Sequence, residues 1–457
     1  HRVCDYDEGG RRGTLMRTPI VDFIKSYNKN GGVRFHMPGH KGRNLLGFED
    51  WDITEIKGAD SLYEADGIIA ESEKNAAELF GANKTCFSTE GSSQCIKAML
   101  YLVLNNRPKN SKPVILAARN VHKAFVYAAA LLDFEIEWLW PEKSRSLCGC
   151  EITAQGLESA LKGMKLIPAA VYITSPDYLG NMADISALAE VCHRYGTVLT
   201  VDNAHGAYLH FLPEKCHPLD LGADICCDSA HKTLPVITGG AYLHISGRLG
   251  DNFAKQAKTA LEMFGSTSPS YLILASLDEC NRYIADGYEK RLADRVQYIN
   301  RVKDDLKNMG WHTEKSDPLR ITIYHKEKGV KLAEGLRKNG IECEYADRDY
   351  VVLMATAENS EEDFERLKNA LGENQYSSGE KEKLPLAKGK RALSVRQAIM
   401  SPWETVETEK AIGRICAAPA VSCPPAIPIA VSGEEIGEEA IWLFKRYGID
   451  RVNVIKK

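Results

Sequence analysis

A lysine and its neighbours at the end of an apolar run are the residues of this sequence best suited to covalent chemistry. The run Asp224–Asp228 breaks into Ser229-Ala230-His231-Lys232, and Pro235 follows shortly afterwards. This pattern predicts a buried strand that ends in a sharp loop. A lysine held in such a loop can lose its proton through desolvation and act as an amine nucleophile. The same residues are also typical of a solvated surface loop.

A glycine and two serines at the predicted start of a helix are suited to binding phosphate. The loop Thr89-Glu90-Gly91-Ser92-Ser93 follows a short predicted strand and precedes a predicted helix from Gln94 to Leu104. Backbone N–H groups at a helix N-terminus attract anions, and the two hydroxyls add further donors. An ordinary serine N-cap is the alternative interpretation.

Two further strand ends carry groups that a planar, nitrogen-containing cofactor needs. Asp202 ends the apolar run 197–202, and Asn203-Ala204-His205 follows it. A carboxylate at this position can hold a proton on a heteroaromatic nitrogen, or it can cap a turn. His122 follows the predicted strand 113–117, and its ring can stack on a cofactor or cap a helix.

Together these groups have the order phosphate loop, stacking residue, ring-nitrogen acid and amine. Pyridoxal phosphate requires all four from a protein. Asp202 and Lys232 lie thirty positions apart, which leaves room for one connection between two strands. A Gly-x-Gly-x-x-Gly dinucleotide motif and a Gly-Lys-Ser/Thr phosphate loop are both missing from the sequence.

Four segments of the chain resemble signature segments of the Orn/Lys/Arg decarboxylases. They are Phe35-His36-Met37-Pro38-Gly39-His40-Lys41, Val201-Asp202-Asn203-Ala204-His205-Gly206, Ser229-Ala230-His231-Lys232-Thr233-Leu234-Pro235 and Ser266-Thr267-Ser268-Pro269-Ser270-Tyr271. The resemblance implies a fold-type-I α/β enzyme with an aspartate-aminotransferase-like large domain around a mostly parallel seven-stranded sheet. Smaller α/β and C-terminal domains would complete the chain, which resembles the short form of the family without an N-terminal wing. The sequence departs from the family pattern at Glu90-Gly91-Ser92-Ser93, where members often have Asn-Gly-Thr-Ser.

The resemblance also implies a role for each residue of the predicted site. The expected cofactor contacts are Gly91, Ser92, Ser93, His122, Asp202, His205, Ser229, His231, Lys232, Thr267 and Ser268. Lys232 would hold pyridoxal 5'-phosphate as a Schiff base, Asp202 would pair with its ring nitrogen, and His122 would stack on the ring. The expected catalytic residues are Lys232, His231 and His205, with protonation at Cα by Lys232 or His231. Thr267 and Ser268 match a segment that the neighbouring subunit supplies, so a homodimer or higher assembly with shared active sites is expected.

The reaction implied by the resemblance is decarboxylation of a basic amino acid to an amine and CO₂, a step related to polyamine biosynthesis. Arginine is the first expectation for the substrate, followed by lysine and ornithine. Another reaction of the same cofactor on the same fold, such as transamination or elimination, is the alternative. Asp60, Glu64 and Asp66 are candidates for binding the distal cation of the substrate, or they are simply solvated.

Composition argues against several other classes of protein. The 457 residues are 44% hydrophobic and 26% charged, which is typical of a globular protein of about two or three domains. The net charge of −4 gives no reason to expect a nucleic acid or a membrane as a partner. Thirteen cysteines without zinc-finger or Cys-x-x-Cys spacing indicate reduced thiols in a cytoplasmic protein without a metal site.

Alternating strand and helix patterns predict the domain organisation. We expect an N-terminal segment at 1–50, a cofactor-binding large domain at 51–280, a small α/β domain at 281–375 and a C-terminal domain at 391–457. A Ser-, Gly-, Glu- and Lys-rich stretch at 373–390 is predicted to be a linker. Predicted local features include a long helical stretch that follows Pro269 and runs through Ser276 to about Met309, and a rigid turn at 422–428 between short strands.

Overall fold

The computed structural model of the protein describes residues 16–108, 113–375, 377–421 and 425–456. Contacts between Cα atoms divide the chain into two compact units. The first unit comprises the described residues up to Leu102 together with Gly206–Ala293. The second unit comprises Val103–His205 and the described residues from Asp294 onward. Residues 1–15 of the predicted N-terminal segment and residues 422–424 of the predicted turn lie outside the described residues.

The α-helices form largely where apolar periodicity predicts them. They are α1 (Pro19–Lys29), α2 (Ile68–Leu79), α3 (Gly91–Asn105), α4 (Lys123–Leu132), α5 (Ala154–Gly163), α6 (Ile185–Arg194), α7 (Ala230–Thr233), α8 (Asp251–Glu262), α9 (Tyr271–Ala285), α10 (Tyr288–Asn308), α11 (Gly329–Lys338), α12 (Glu361–Leu371), α13 (Val395–Ile399) and α14 (Glu438–Arg446). Short 3₁₀ helices form at Ala207–Phe211 and Thr408–Lys410. Among the described helices, none is both long and apolar enough to cross a membrane.

The strands are mostly short and mostly buried. They are β1 (Lys84–Ser88), β2 (Val114–Ala118), β3 (Glu135–Leu139), β4 (Ala170–Thr174), β5 (Val198–Asp202), β6 (Ile225–Asp228), β7 (Ala241–Ile245), β8 (His312–Thr313), β9 (Arg320–Tyr324), β10 (Tyr345–Ala346), β11 (Tyr350–Met354), β12 (Trp403–Glu407), β13 (Ala420–Val421), β14 (Pro428–Ala430) and β15 (Arg451–Ile455). Strands β2, β6, β7 and β9 are buried along their whole length. Burial on both faces explains why β2, with the sequence Val-Ile-Leu-Ala-Ala, is apolar throughout rather than alternating.

The first seven strands form one sheet in the order β1-β7-β6-β5-β4-β2-β3. Strand β7 runs antiparallel to β1 and to β6. Strands β2 and β3, β2 and β4, and β4 and β5 pair in parallel. The predicted fold class, an α/β protein around a mostly parallel seven-stranded sheet, is therefore confirmed.

The second unit also contains smaller sheets. Strands β8 to β11 form an antiparallel sheet in the order β10-β11-β9-β8. The capping box of Ser360 and Asp363 fixes the start of α12, because each residue satisfies a backbone N–H of the first turn. Strands β12 and β15 pair antiparallel, and Phe444 and Val454 belong to the apolar cluster of this C-terminal region.

Two predicted segments differ in detail from the structure. The long predicted helical stretch between Pro269 and about Met309 is divided into α9 and α10, because Gly287 adopts a φ of +71°, which ends a right-handed helix. The predicted linker 373–390 has almost no regular secondary structure, but Leu384 is buried and pairs with Ser144. This stretch is therefore packed against its own unit along part of its length.

Candidate active site

Two loops of the first unit lie at the same edge of the sheet. Strands β1 and β6 are both antiparallel to β7, so they run in the same direction and their carboxyl ends meet at one edge. The loop 89–93 follows β1, and Ser229 to Lys232 follow β6. Ligands of open α/β sheets bind beyond the carboxyl ends of the strands, which is where both predicted loops lie.

The predicted phosphate loop has the local structure of an anion site. Gly91 begins the 15-residue helix α3 with a φ of +72°, a conformation that favours glycine. The hydroxyl of Ser229 donates to the hydroxyl of Ser92 at 2.8 Å, so the two predicted loops are in contact. Ser92 and Ser93 are half-buried in the first turn of α3, where backbone N–H groups point towards an anion.

A pair of glycines allows a third loop to approach the phosphate loop. The N–H of Gly91 donates to the carbonyl of Gly239 at 2.7 Å. Gly239 has a φ of +103°, and a Cβ atom there would lie 2.9 Å from the carbonyl oxygen of Thr89. Glycine is therefore required at position 239 both by the backbone conformation and by the close approach.

Lys232 lies in the short helix α7, directly beyond β6. Its side chain is half-buried, and its N–H donates to the carbonyl of Ser229 at 3.1 Å. The ring of His231 is oriented by Gly240, whose carbonyl lies 2.9 Å from Nδ1. A carbonyl only accepts hydrogen bonds, so Nδ1 of His231 carries a proton and Nε2 is the nitrogen that can accept one. This tautomer suits the predicted role of His231 in proton transfer.

The segment that contains Thr267 and Ser268 is exposed in the first unit. It begins beside the phosphate loop, because the N–H of Ser266 donates to the carboxylate of Glu90 in the same chain. The predicted contact of Thr267 and Ser268 with a neighbouring subunit stays a prediction.

Asp202 of the second unit is a buried carboxylate with fixed geometry. It ends β5, and Tyr172 of the parallel neighbour β4 donates its hydroxyl to Oδ2 at 3.1 Å. The N–H of Ala204 donates to Oδ1 at 3.2 Å. Sequence reasoning did not identify Tyr172, although its position on an adjacent strand, two residues before the strand end, was the available signal.

His205 and His122 occupy two other strand ends of the second unit. His205 is buried, and the ring of Tyr178 packs edge-on against it with centroids 4.9 Å apart. His122 caps α4, since its Nδ1 accepts the N–H of Ala124 at 3.1 Å. Capping was one of the two interpretations of His122, and stacking on a cofactor stays a prediction.

Tyr178 contacts both His205 and Glu344, an acidic residue that the sequence analysis did not identify. Its hydroxyl donates to Oε1 of Glu344 at 2.8 Å, and Glu344 is exposed. Burial raises the pKa of Tyr178, and the neighbouring carboxylate of Glu344 raises it further. The hydroxyl therefore stays protonated and acts as a donor to the carboxylate.

The earlier candidate Asp60 has a different task. Its carboxylate accepts backbone N–H groups from five residues at the start of α2: Ser61, Asp66, Gly67, Ile69 and Ala70. Burial alone would raise the pKa of Asp60, but these N–H groups hold it below its ordinary value. This turn accounts for the carboxylate of Asp60, and Glu64 and Asp66 are exposed.

The donor set in each unit fits pyridoxal phosphate. The first unit offers a helix N-terminus with serine hydroxyls for a phosphate and the amine of Lys232 for an aldehyde. The second unit offers the buried carboxylate of Asp202, backed by Tyr172, for a ring nitrogen. These are the groups that this cofactor requires from a protein.

Solved structures share this fold. The constitutive lysine decarboxylase of Escherichia coli matches 96% of this chain and 82% of its own, with a TM-score of 0.76 and 18% identity. The lysine decarboxylase of Francisella novicida matches 96% of this chain and 81% of its own, with a TM-score of 0.78 and 16% identity. The fold and the donor set define a fold-type-I enzyme that depends on pyridoxal phosphate.

Sequence comparison narrows this class to one family. The family model "Orn/Lys/Arg decarboxylase, major domain" matches residues 18–352, and the chain belongs to the Orn/Lys/Arg decarboxylase family. An arginine decarboxylase of Bacillus subtilis (strain 168) is 30% identical over 94% of this chain and 93% of its own. An arginine decarboxylase of Halalkalibacterium halodurans is 30% identical over 92% of this chain and 91% of its own. The chain is therefore a decarboxylase of a basic amino acid, as its sequence predicts.

Proposed function

We propose that the protein converts arginine to agmatine and CO₂, with lysine and ornithine as weaker substrates. Relatives named arginine decarboxylases, 30% identical over more than nine-tenths of the chain, support this choice among the basic amino acids. The observation that carries the site is the half-buried Lys232, which directly follows a buried strand and lies beside Ser229 and the oriented His231. The amine product is related to polyamine biosynthesis.

The cofactor, when bound, accepts the electron pair that remains after CO₂ leaves the substrate. Lys232 would hold the cofactor through its side-chain amine, the group that reacts with an aldehyde. Gly91, Ser92 and Ser93 hold the phosphate, with Ser229 holding Ser92 in place. Asp202, oriented by Tyr172, keeps a proton on the ring nitrogen.

Three histidines, Lys232 and the segment with Thr267 and Ser268 have the remaining roles in the proposed site. His122 would stack on the face of the cofactor ring, and His205 would lie near the reacting carbon. Lys232 would deliver the proton to Cα, or Nε2 of His231 would do so once it has itself taken up a proton from water, because Nδ1 already donates to Gly240. Thr267 and Ser268 complete the site of a neighbouring subunit.

Glu344 binds the distal cation of the substrate. It is an exposed carboxylate, and Tyr178 connects it to His205, which we place next to the reacting carbon. An Arg guanidinium forms two parallel hydrogen bonds with a carboxylate, so a basic side chain suits this residue. We expect Glu344→Gln to raise KM for arginine about tenfold with a smaller change in kcat. Glu342→Gln is the matched control, because Glu342 pairs with Arg337 instead.

A homodimer with shared active sites is the proposed assembly. The segment 31–48 exposes large apolar side chains that a soluble surface rarely leaves uncovered, including Phe35 at 94%, Leu45 at 81% and Val33 at 80% exposure. A second copy of the chain covers this segment. Sedimentation of the wild type should give a dimer or a multiple of it, and Phe35→Asp with Leu45→Asp should shift the equilibrium towards monomer.

We also propose a cytoplasmic location and the domain boundaries 1–50, 51–280, 281–375 and 391–457. All eleven cysteines within the described residues are free, which suits a reducing compartment. The irregular stretch between α12 and α13 suits the boundary before the C-terminal domain, and limited proteolysis should cleave there first.

Product analysis tests the reaction. Purified protein with the cofactor is incubated separately with arginine, lysine and ornithine, and amines are identified by mass spectrometry. Agmatine together with CO₂ is the expected result, whereas a keto acid would show transamination. Lys232→Ala should lose turnover and the visible absorbance of the bound cofactor, and full turnover in this variant would refute the assignment of Lys232.

A further inference from the structure

A cluster of buried polar residues lies in the core of the first unit, behind the loops that carry Lys232 and Ser92. His217, Asp228 and His244 are completely buried. Oδ2 of Asp228 lies 2.9 Å from Nε2 of His217 and 3.2 Å from Nε2 of His244. Oγ1 of Thr85 lies 2.8 Å from Nδ1 of His244. Two histidines and a carboxylate in such contact either bind a metal ion or hold one another directly, His217 through a hydrogen bond and His244 through a polar contact at 3.2 Å.

The tautomer of His217 decides between these two possibilities. The ligand atoms of the three residues lie within 4.8 Å of one another, a spacing that a metal ion could use. However, the backbone N–H of Leu219 donates to Nδ1 of His217 at 3.4 Å. Nδ1 therefore has no proton, and in the neutral ring Nε2 carries it. A protonated nitrogen has no lone pair for a metal, so Nε2 donates a hydrogen bond to Asp228.

The environment of the cluster keeps Asp228 ionised. Burial would raise the pKa of Asp228, but the rings of His217 and His244 hold it well below its usual range. Phe80 covers the cluster, with its ring centroid 4.6 Å from that of His244 and 5.8 Å from that of His217. Water therefore has little access to replace a lost hydrogen bond, and the loss of one donor reduces the compensation of a buried charge.

The cluster lies across three strands of the first unit that adjoin the phosphate loop, the loop with Lys232 and the Gly239–Gly240 loop. Thr85 belongs to β1, Asp228 to β6 and His244 to β7, and Thr85 lies opposite His244 in the ladder. The phosphate loop follows β1, Ser229 directly follows Asp228, and Gly239 and Gly240 directly precede β7. A displacement of any one strand along its axis would move its loop by the same distance.

We propose that His217, Asp228 and His244 form a positioning cluster that fixes the phosphate loop, the loop with Lys232 and the Gly239–Gly240 loop of the first unit relative to one another. The proposal rests on the proposed function, in which Lys232 and Ser92 bind the cofactor. Asp228 acts through the peptide bond to Ser229, whose hydroxyl contacts Ser92 at 2.8 Å. The cluster is thus a positioning device for the phosphate and the Schiff-base lysine.

Substitutions of the cluster in the full-length protein test the proposal. Asp228→Asn replaces one acceptor oxygen by an NH₂ group that faces the N–H of a histidine. His217→Leu removes one donor, whereas His217→Gln retains an N–H donor of similar reach. Cys226→Ala is the matched control, because it removes a fully buried side chain from the same strand and leaves the cluster intact.

The principal measurement is the dissociation constant of the cofactor, obtained by titrating apoprotein and following the absorbance of bound cofactor. Asp228→Asn and His217→Leu should raise this constant about tenfold or more, since each leaves a buried donor or charge unsatisfied. His217→Gln should recover part of the loss, and Cys226→Ala should stay within about twofold of the wild type. Thermal unfolding of the apoproteins shows which variants fold, and if Asp228→Asn does not fold, the two His217 variants decide the question.

Several outcomes would overturn the proposal. If Asp228→Asn or His217→Leu bound the cofactor as tightly as Cys226→Ala, the cluster would be merely structural. A stoichiometric metal ion in the purified wild type that is lost in the Asp228 variant would show a metal site instead. Failure of the wild type to bind the cofactor at all would refute the proposed function itself, a result distinct from tight binding by both wild type and variant.

Discussion

The fully buried carboxyl group of Asp278 makes the stability of this protein depend on pH. Oδ2 of Asp278, on α9, accepts the N–H groups of Ile20 and Val21 at the start of α1, at 2.9 and 3.0 Å. Ser72 donates to Oδ1 at 2.6 Å. Burial raises the pKa of Asp278 from an ordinary 3.8 to about 7, although these hydrogen bonds act in the opposite direction. The protonated form is therefore favoured in the folded state.

The sign of the effect follows from linkage between proton binding and folding. A carboxyl whose pKa is higher in the folded state stabilises the fold fully below the unfolded pKa and loses that contribution as the pH rises through the folded value. The pKa of Asp278 rises from 3.8 in the unfolded chain to about 7 in the folded protein. At about 1.4 kcal/mol per pH unit, the free energy of unfolding therefore falls by about 4 kcal/mol over this pH range. Asp278→Asn, whose amide oxygen can still accept both N–H groups, should lack this loss.

Thermal and urea unfolding between pH 4 and pH 8 measure the difference. Relative to the wild type, Asp278→Asn should gain stability progressively towards pH 8, by up to about 4 kcal/mol. The control is Glu279→Gln, which removes the adjacent carboxylate of the same helix, one that is paired with Arg282 and partly exposed. A difference between Asp278→Asn and wild type that stays constant from pH 4 to pH 8 would refute the argument from burial.

Three further substitutions probe the elements around the site. Gly239→Ala should destabilise the protein by about 2 kcal/mol or more in urea unfolding and weaken retention of the cofactor. The control is Gly250→Ala, because a Cβ atom at position 250 meets nothing within 4 Å, and it should change neither stability nor retention. Tyr172→Phe removes the hydroxyl donor to Asp202 and should weaken cofactor binding about tenfold in an absorbance titration. The control Thr200→Val removes a hydroxyl that donates to the carbonyl of Val171, and it should leave binding unchanged. Arg320→Met leaves Asp317 buried without its charged partner and should cost about 3–5 kcal/mol in urea unfolding, and an unchanged midpoint would contradict the importance of this pair.

Local sequence patterns were sufficient to predict the strand ends that carry the candidate catalytic and cofactor-binding residues. An apolar run followed by polar residues and glycine or proline specifies both a buried strand and its end, so β5 and β6 and the positions of Asp202 and Lys232 were predictable. The helix α3 was predictable for a similar reason, with its start displaced to Gly91. The break between α9 and α10 was missed, because a single glycine in a long amphipathic pattern is also tolerated within a helix.

Contacts that depend on strand register were not predictable in the same way. Tyr172 meets Asp202, and His244 meets Asp228, only because particular residues of neighbouring strands lie side by side. A shift of one residue in either pair of strands would turn these side chains to the opposite face of the sheet. The hydrogen bonds of Asp60 were not predictable for a related reason, since they extend from Ser61 to Ala70, through the loop before α2 and into its first turn, and follow no periodic pattern.

Residues at strand ends and buried residues between neighbouring strands therefore have different roles: the first supply the reactive groups, and the second fix their positions. A strand end can present a reactive group such as Lys232, but a loop alone cannot hold that group to within a fraction of an ångström. The required precision comes from the buried interior, where an ionised carboxylate such as Asp228 has few alternative partners and water has little access. Residues that never contact the cofactor should consequently determine its affinity, and a search for functional residues restricted to strand ends would overlook them.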